Sequence, residues 1–196
     1  MEIMKNKRKI LAFAALIVLI MSWACTKGDG EADFGDDIYV YMPQATVGGG
    51  INNYYPVPGG AGEYTYNFIA DANKLNIILG VTRSGKITDA GGFSVNVLVS
   101  QAETDKVVDA DDIDVEALPQ TLYEIPNTVS VDAGKNSATF YLTVDAKKLL
   151  DGSYDGKKLA LAVTIDNPTQ YKLSEGNKVV VVIVDVDEIR PFFEGI

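Results

Sequence analysis

From Asp37 onward the chain repeats one pattern: short runs in which apolar and polar residues alternate, rich in Val, Ile, Thr, Phe and Tyr and closed by Gly, Pro, Asn or Asp. A period of two is the signature of strands with one buried face, and a helix, with its period of 3.6, cannot satisfy it. The runs predict strands over 38–42, 63–70, 74–82, 93–100, 122–125, 128–131, 137–144, 159–165 and 179–186. Short strands at this spacing, with turns between them, predict an all-β antiparallel β-sandwich. Residues 93–99 and 139–144 alternate cleanly, whereas 179–184 is apolar at every position and predicts a strand covered on both faces. Helix is scarce, with a single turn expected at 146–150, stopped by Asp151 and Gly152.

The segment before this pattern reads as an export signal. Lys5, Lys7, Arg8 and Lys9 precede the unbroken apolar run 10–21, which at 12 residues falls short of the ~20 needed to cross a bilayer. Ser22-Trp23-Ala24-Cys25 follows, with a small residue directly before the only cysteine. This resembles a bacterial lipobox, although Ser22 stands where an aliphatic residue is usual. The expectation is a lipoprotein signal peptide over 1–24 and lipidation of Cys25, whose acyl chains, at about 0.8 kcal/mol per buried CH₂, anchor the chain to a membrane. Residues 25–36 then form a flexible acidic tether, 37–187 the sandwich and 188–196 a C-terminal tail. Asp29, Glu31 and Asp33 in the tether match what surface-export signals of Bacteroidetes lipoproteins look like. The expected location is therefore the outer membrane, facing the cell surface.

Removing 1–24 takes four basic residues and one acidic residue from totals of 17 and 27, leaving 13 against 26 and a net charge of −13. Such a surface repels phosphate backbones, which argues against nucleic acid as a partner. The chain has no histidine, which excludes Ser-His-Asp and Cys-His catalysis and the usual zinc sites. The glycines at 48–50 lead into no Gly-Lys-Ser/Thr signature, so a phosphate-binding loop is disfavoured. Carboxylates for glycoside hydrolysis are plentiful, but so plentiful that pairing by chance is expected, and no catalytic residue is assigned.

Several strand ends and turns carry a resemblance. Leu79-Gly80-Val81-Thr82-Arg83-Ser84-Gly85, Ala117-Leu118-Pro119 with Tyr123 beyond it, Val129-Ser130-Val131-Asp132-Ala133-Gly134-Lys135, and Asn167-Pro168 before Tyr171-Lys172-Leu173-Ser174 are together similar to a Bacteroidetes surface-lipoprotein domain of unknown function. That domain stands at the N-terminus of glycan-utilisation lipoproteins, some with chitinase-like glycosidase domains behind it. The resemblance spans about residues 37–187 and implies an immunoglobulin-like sandwich at the cell surface among polysaccharide-utilisation functions. After Asp187 only 188–196 remain, where longer relatives continue into a glycan-binding or catalytic domain, so none of their catalytic residues carries over.

Two stretches are candidate sites. Residues 47–62 are long for a sandwich connection, which favours a functional or mobile loop. They hold Asn52, Asn53, Tyr54 and Tyr55, with Tyr64 and Tyr66 following on one strand face. An aromatic platform flanked by amides suits a sugar, whose C–H patches meet the ring and whose hydroxyls meet the amides. The alternative is that these tyrosines pack the sandwich edge and the glycines serve turns. Second, Asp105, Asp109, Asp111, Asp112, Asp114 and Glu116 concentrate negative charge. Carboxylates at Asp109, Asp111, Asp112 and Asp114 are the oxygen ligands Ca²⁺ takes, yet an EF-hand register from Asp109 puts Ile113 at its fifth position and Asp114, not Gly, at its sixth. A solvated acidic loop is the main reading and a structural Ca²⁺ the alternative; no other cofactor is expected.

The leading expectation is a non-catalytic lipoprotein that assists polysaccharide capture, by binding glycan or by partnering proteins of a glycan-uptake complex. The alternative is a structural or adhesive module that binds a protein and no carbohydrate. Pro191-Phe192-Phe193 leans toward the alternative, because an apolar tail either docks back on the sandwich or meets a partner.

Overall fold

The computed structural model describes residues 37–46, 53–59, 66–85, 91–110 and 113–194. The signal segment, Cys25, the tether, Asn52, Tyr64, Asp111 and Asp112 lie outside the described residues. Ile38–Ile196 forms one compact unit.

Among the described residues, two six-stranded sheets face each other across a hydrophobic core, as the alternating runs predict. In the first, β1 (Tyr39–Tyr41), β3 (Phe68–Asp71), β4 (Lys74–Arg83), β7 (Tyr123–Glu124), β9 (Ser137–Asp145) and β11 (Lys172–Leu173) run in the order β11-β1-β4-β9-β7, with β3 also on β4. In the second, β2 (Tyr54–Val57), β5 (Phe93–Val99), β6 (Glu116–Ala117), β8 (Thr128–Val131), β10 (Lys158–Asp166) and β12 (Val179–Asp185) run β2-β12-β10-β5-β8, with β6 also on β10. The sheet centres are antiparallel, and the parallel pairs are confined to short strands: β11 on β1, β2 on β12 and β6 on β10.

Period-two alternation decides what enters the core. Leu75, Ile77, Leu79 and Val81 of β4 and Leu142 and Val144 of β9 meet Val180, Val182 and Val184 of β12, all without measurable exposure. Full burial of one such side chain stabilises by about 1.5–3 kcal/mol. The uniform apolarity of β12 has the predicted meaning. Its even-numbered valines face the other sheet, while Val181 and Ile183 join Ala160, Ala162, Val107 and Val115 in a second, outer cluster.

That outer cluster exists because a helix covers it. Residues Gln101–Val108 form α1, contrary to the reading of Asp105 as part of an acidic loop. Ser100 caps its start by accepting a hydrogen bond from the Glu103 amide at 3.3 Å, in the Ser-x-x-Glu pattern that marks a helix start. Thr104 and Val107 turn inward while Glu103, Asp105 and Lys106 face outward. Thr104, only 1% exposed, completes the sheet: its hydroxyl accepts from the Ala162 amide at 2.9 Å, at the place where β10 has left β6 and not yet reached β5.

The second departure is β2, which lies within the expected 47–62 loop. Tyr55 and Val57 pack into the core and Pro56 fits because β2 is an edge strand, where the missing N–H is no loss. The expected helical turn at 146–150 is present as α2 (Ala146–Leu149), capped by Asp145 accepting from the Lys148 amide at 3.1 Å. A last helical turn, α3 (Val186–Ile189), leads the chain back so that Phe192 meets Phe68 at 4.9 Å and Tyr66 at 4.9 Å, edge to face. The phenylalanines of the tail dock on their own sandwich, and the support they lent to a partner-binding module falls away.

Candidate functional site

Tyr54, Tyr55 and Tyr66, the described tyrosines of the expected platform, stand in three places, and the alternation of β2 separates the first two. Tyr55 points between the sheets, where its hydroxyl donates to the Ile78 carbonyl at 3.1 Å. Burial pushes its phenol pKa above the ordinary value, with a smaller opposing effect from Asn67. It is a cross-sheet strut. Tyr66 is 51% exposed and belongs to the aromatic cluster with Phe68 and Phe192. Tyr54, on the opposite face of β2 from Tyr55, packs against the outer cluster beneath α1.

Tyr54 and Asn53 share a groove of about 390 Å³ with Glu103 and Lys106 of α1 and with Glu175 and Lys178 from the turn before β12. Its floor is Val107, Val179 and Val181. Asn53 adopts a left-handed backbone (φ 50°), which asparagine tolerates better than most residues, and its carbonyl accepts from the Val181 amide at 3.0 Å. The rim carries two ion pairs, Lys106–Glu103 at 2.6 Å and Lys178–Glu175 at 2.5 Å. The Glu175 partner raises the Lys178 pKa. The arrangement presents an apolar floor, one aromatic wall, and charged donors and acceptors that are matched in sign, within the ~300–1,000 Å³ range of small-ligand sites. Glu103, Lys106, Glu175 and Lys178 escaped the sequence reading because the first pair needed the helix and the second needed the parallel docking of β2 on β12.

Asn67 ties the end of β2 to the segment that leads into β3. Asn67 accepts from the Gly59 amide and donates to the Pro56 carbonyl, each at 2.8 Å, and its own amide donates to the Gly59 carbonyl at 2.8 Å. Nothing in the alternating pattern singles Asn67 out.

Of the acidic run, Asp105 lies on α1 and Asp109 is its C-terminal cap. Asp114 follows the undescribed pair 111–112. Among the described residues no group of three or more His, Cys, Asp or Glu is placed to hold a metal ion, and no helix is long and apolar enough to cross a membrane.

A family model described as an N-terminal domain matches residues 40–172, from β1 to β11. No curated protein matches the chain. Among solved structures, a Bacteroides ovatus protein provisionally described as carbohydrate binding matches at 12% identity and TM-score 0.51, over 75% of this chain and 36% of that one. A multidomain Bacteroides ovatus protein including DUF1735 matches at 16% identity and TM-score 0.50, over 74% of this chain and 44% of that one. EndoBT-3987 of Bacteroides thetaiotamicron, solved with a Man5GlcNAc product, matches at 16% identity and TM-score 0.46, over 75% of this chain and 30% of that one. The chain thus spans less than half the length of each. At these identities the likeness to the two Bacteroides ovatus structures establishes a shared fold.

Proposed function

The chain belongs to the N-terminal-domain family matched over residues 40–172, the family its strand-end motifs resemble, and from that premise we propose that it is a non-catalytic, lipid-anchored envelope domain that holds polysaccharide. The observation that carries this reading is the groove in which Asn53 and Tyr54 meet the paired charges of α1 and of the turn before β12. A sugar ring stacks its C–H face on Tyr54, and its hydroxyls meet the Asn53 amide and the rim pairs. Because the rim charges are matched and the chain as a whole is acidic, at −10, the groove favours a neutral glycan over a polyanion. The provisional carbohydrate-binding description of the Bacteroides ovatus structure is consistent with this ligand class. Cys25, with the basic and apolar segment before it, is the proposed site of lipidation, and the outer membrane is the proposed location.

The test is affinity electrophoresis of the chain through neutral polysaccharides. Retardation by one of them should fall at least tenfold in Tyr54→Ala and survive in Tyr54→Phe, which keeps the stacking face. Tyr55→Phe should bind as the unaltered chain does, because Tyr55 faces the core. Equal retardation of Tyr54→Ala and the unaltered chain would sink the groove assignment, and release of reducing ends from the polysaccharide would sink the non-catalytic one. For the anchor, Cys25→Ala should move the protein out of the membrane fraction.

A further inference from the structure

β9 leaves part of one sheet edge open. The Arg83 amide donates to the Asn136 carbonyl at 2.9 Å, and in an antiparallel pair such hydrogen-bonded positions recur at every second residue. The even-numbered residues of β9 therefore turn their N–H and C=O toward β4, while Ser137, Thr139, Tyr141 and Thr143 turn theirs away. Thr143 meets Glu124 of β7. Beyond Glu124 the chain leaves this sheet: Pro126 has no N–H to give, and the Asn127 carbonyl accepts from the Val97 amide of the other sheet at 2.9 Å. Among the described residues, the backbone groups that Ser137, Thr139 and Tyr141 turn outward have no hydrogen-bond partner.

An edge of this kind is a template for another strand, and native sheets guard theirs with charges, prolines or bulges. This one is unguarded. Residues 136–144 contain neither a charged residue nor a proline, in a chain whose net charge is −10. Their outward side chains Ser137, Thr139 and Tyr141 are exposed, Tyr141 by 41%. Opposite charges stand at the two ends of the strip. Lys135 precedes it, and Glu124 lies beside Thr143 at its far end. Both are exposed, and among the described residues neither has an ion-pair partner.

We infer that this edge is where a second copy of the chain docks, β9 against β9 and antiparallel, about a two-fold axis near Ala138 and Thr139. The charges select this occupant and this direction. Antiparallel pairing brings each Lys135 beside the other copy's Glu124, whereas parallel pairing would bring like charges together at both ends. The charge-free strip between them is where two acidic chains can approach with least repulsion. The two-fold axis uses the open edge of both copies at once, so association stops at the dimer. A strip of three outward positions gives an interface well below the ~1,200 Å² of stable complexes, so the dimer is weak and depends on concentration. This inference does not rest on the glycan reading.

The experiment is sedimentation equilibrium of the chain from about 10 µM to about 1 mM, with a reductant present so that Cys25 cannot link two copies. A monomer–dimer equilibrium is expected, and over the same range hydrogen exchange at the Ser137, Thr139 and Tyr141 amides should slow. Thr139→Lys, at an exposed position, sets like charges across the axis and should abolish dimerisation while the melting temperature of the monomer holds. Lys135→Glu and Glu124→Lys move the net charge from −10 to −12 and to −8, yet each should weaken the dimer by at least about fivefold. The two together restore opposite charges and should bring back the original constant. A chain that stays monomeric at the highest concentration overturns the inference. So does a dimer indifferent to Thr139→Lys, or one that the combined charge exchange fails to restore.

Discussion

Thr104→Val is the sharpest test of why the outer face of β10 is closed. The exchange replaces a hydroxyl with a methyl group of nearly the same size, and Val and Thr have similar helix propensities, so the substitution isolates the hydrogen bond. In the folded chain the Thr104 hydroxyl accepts from the Ala162 amide at 2.9 Å and donates to the Ser100 carbonyl at 2.9 Å. The Ser100 carbonyl keeps a second donor, the Thr104 amide at 3.0 Å, and is not orphaned. The Ala162 amide has no such reserve, since β10 is between partners there. One buried N–H left without an acceptor costs about 1–3 kcal/mol, and a unit of this size loses about 2–4 °C of melting temperature per kcal/mol. A loss of about 2 kcal/mol and roughly 4–8 °C is expected by calorimetry, together with faster hydrogen exchange at the Ala162 amide. Thr104→Ser keeps the hydroxyl, gives up one methyl group worth about 0.8 kcal/mol, and should be the milder change. Valine as stable as threonine, or serine worse than valine, would refute the assignment of Thr104 as the cap of the open ladder.

Gly59→Ala should destabilise by about 1–3 kcal/mol in urea unfolding, because the added Cβ would stand 2.6 Å from the Pro56 carbonyl oxygen and 3.0 Å from Asn67 Nδ2, breaking the hydrogen bonds by which Asn67 holds Pro56 and Gly59; a midpoint equal to that of the unaltered chain would contradict this. Asp145→Asn probes the cap of α2. The Lys148 side chain, then its backbone amide, hold the Asp145 carboxyl below its ordinary value of 3.8, and a depressed folded pKa supports the fold above the unfolded value and loses that support as pH falls through the folded one. The unaltered chain should therefore be more stable than the asparagine variant at pH ~6, and its lead should shrink progressively as pH falls below the ordinary carboxylate range; a gap that does not change with pH would count against the argument.

Most strands were legible because the signal that specifies them is local. Residues 74–83, 93–99, 128–131 and 137–145 alternate with little interruption, and the structure places the apolar residues at every second position in the core while Leu98 and Tyr141, on the other face, are exposed. Elements that depend on a partner were not. Residues 54–57 are few and contain a proline, and become a strand only because β12 offers a parallel edge. Residues 172–173 and 116–117 are too short to show a period at all. The helix 101–108 was hidden by its own charge: Glu103, Asp105 and Lys106 dominate the composition, while the two residues that bury its inner face, Thr104 and Val107, are a weak apolar stripe. The candidate site suffered twice from this. Tyr54 and Asn53 were singled out from the sequence, but their neighbours in the groove come from that helix and from the turn at 175–178. Tyr55 was grouped with Tyr54 because they are adjacent, when adjacency in a strand sends two side chains to opposite faces.

The central claim is that this sandwich captures neutral polysaccharide through its outer surface and not through its core tyrosines. It is tested most directly by applying the chain and its Tyr54→Ala variant side by side to an array of neutral polysaccharides and oligosaccharides. Binding of the unaltered chain to one glycan class, weakened at least tenfold by the substitution, is the predicted result. Failure of the folded, unaltered chain to bind anywhere on the array would contradict the account.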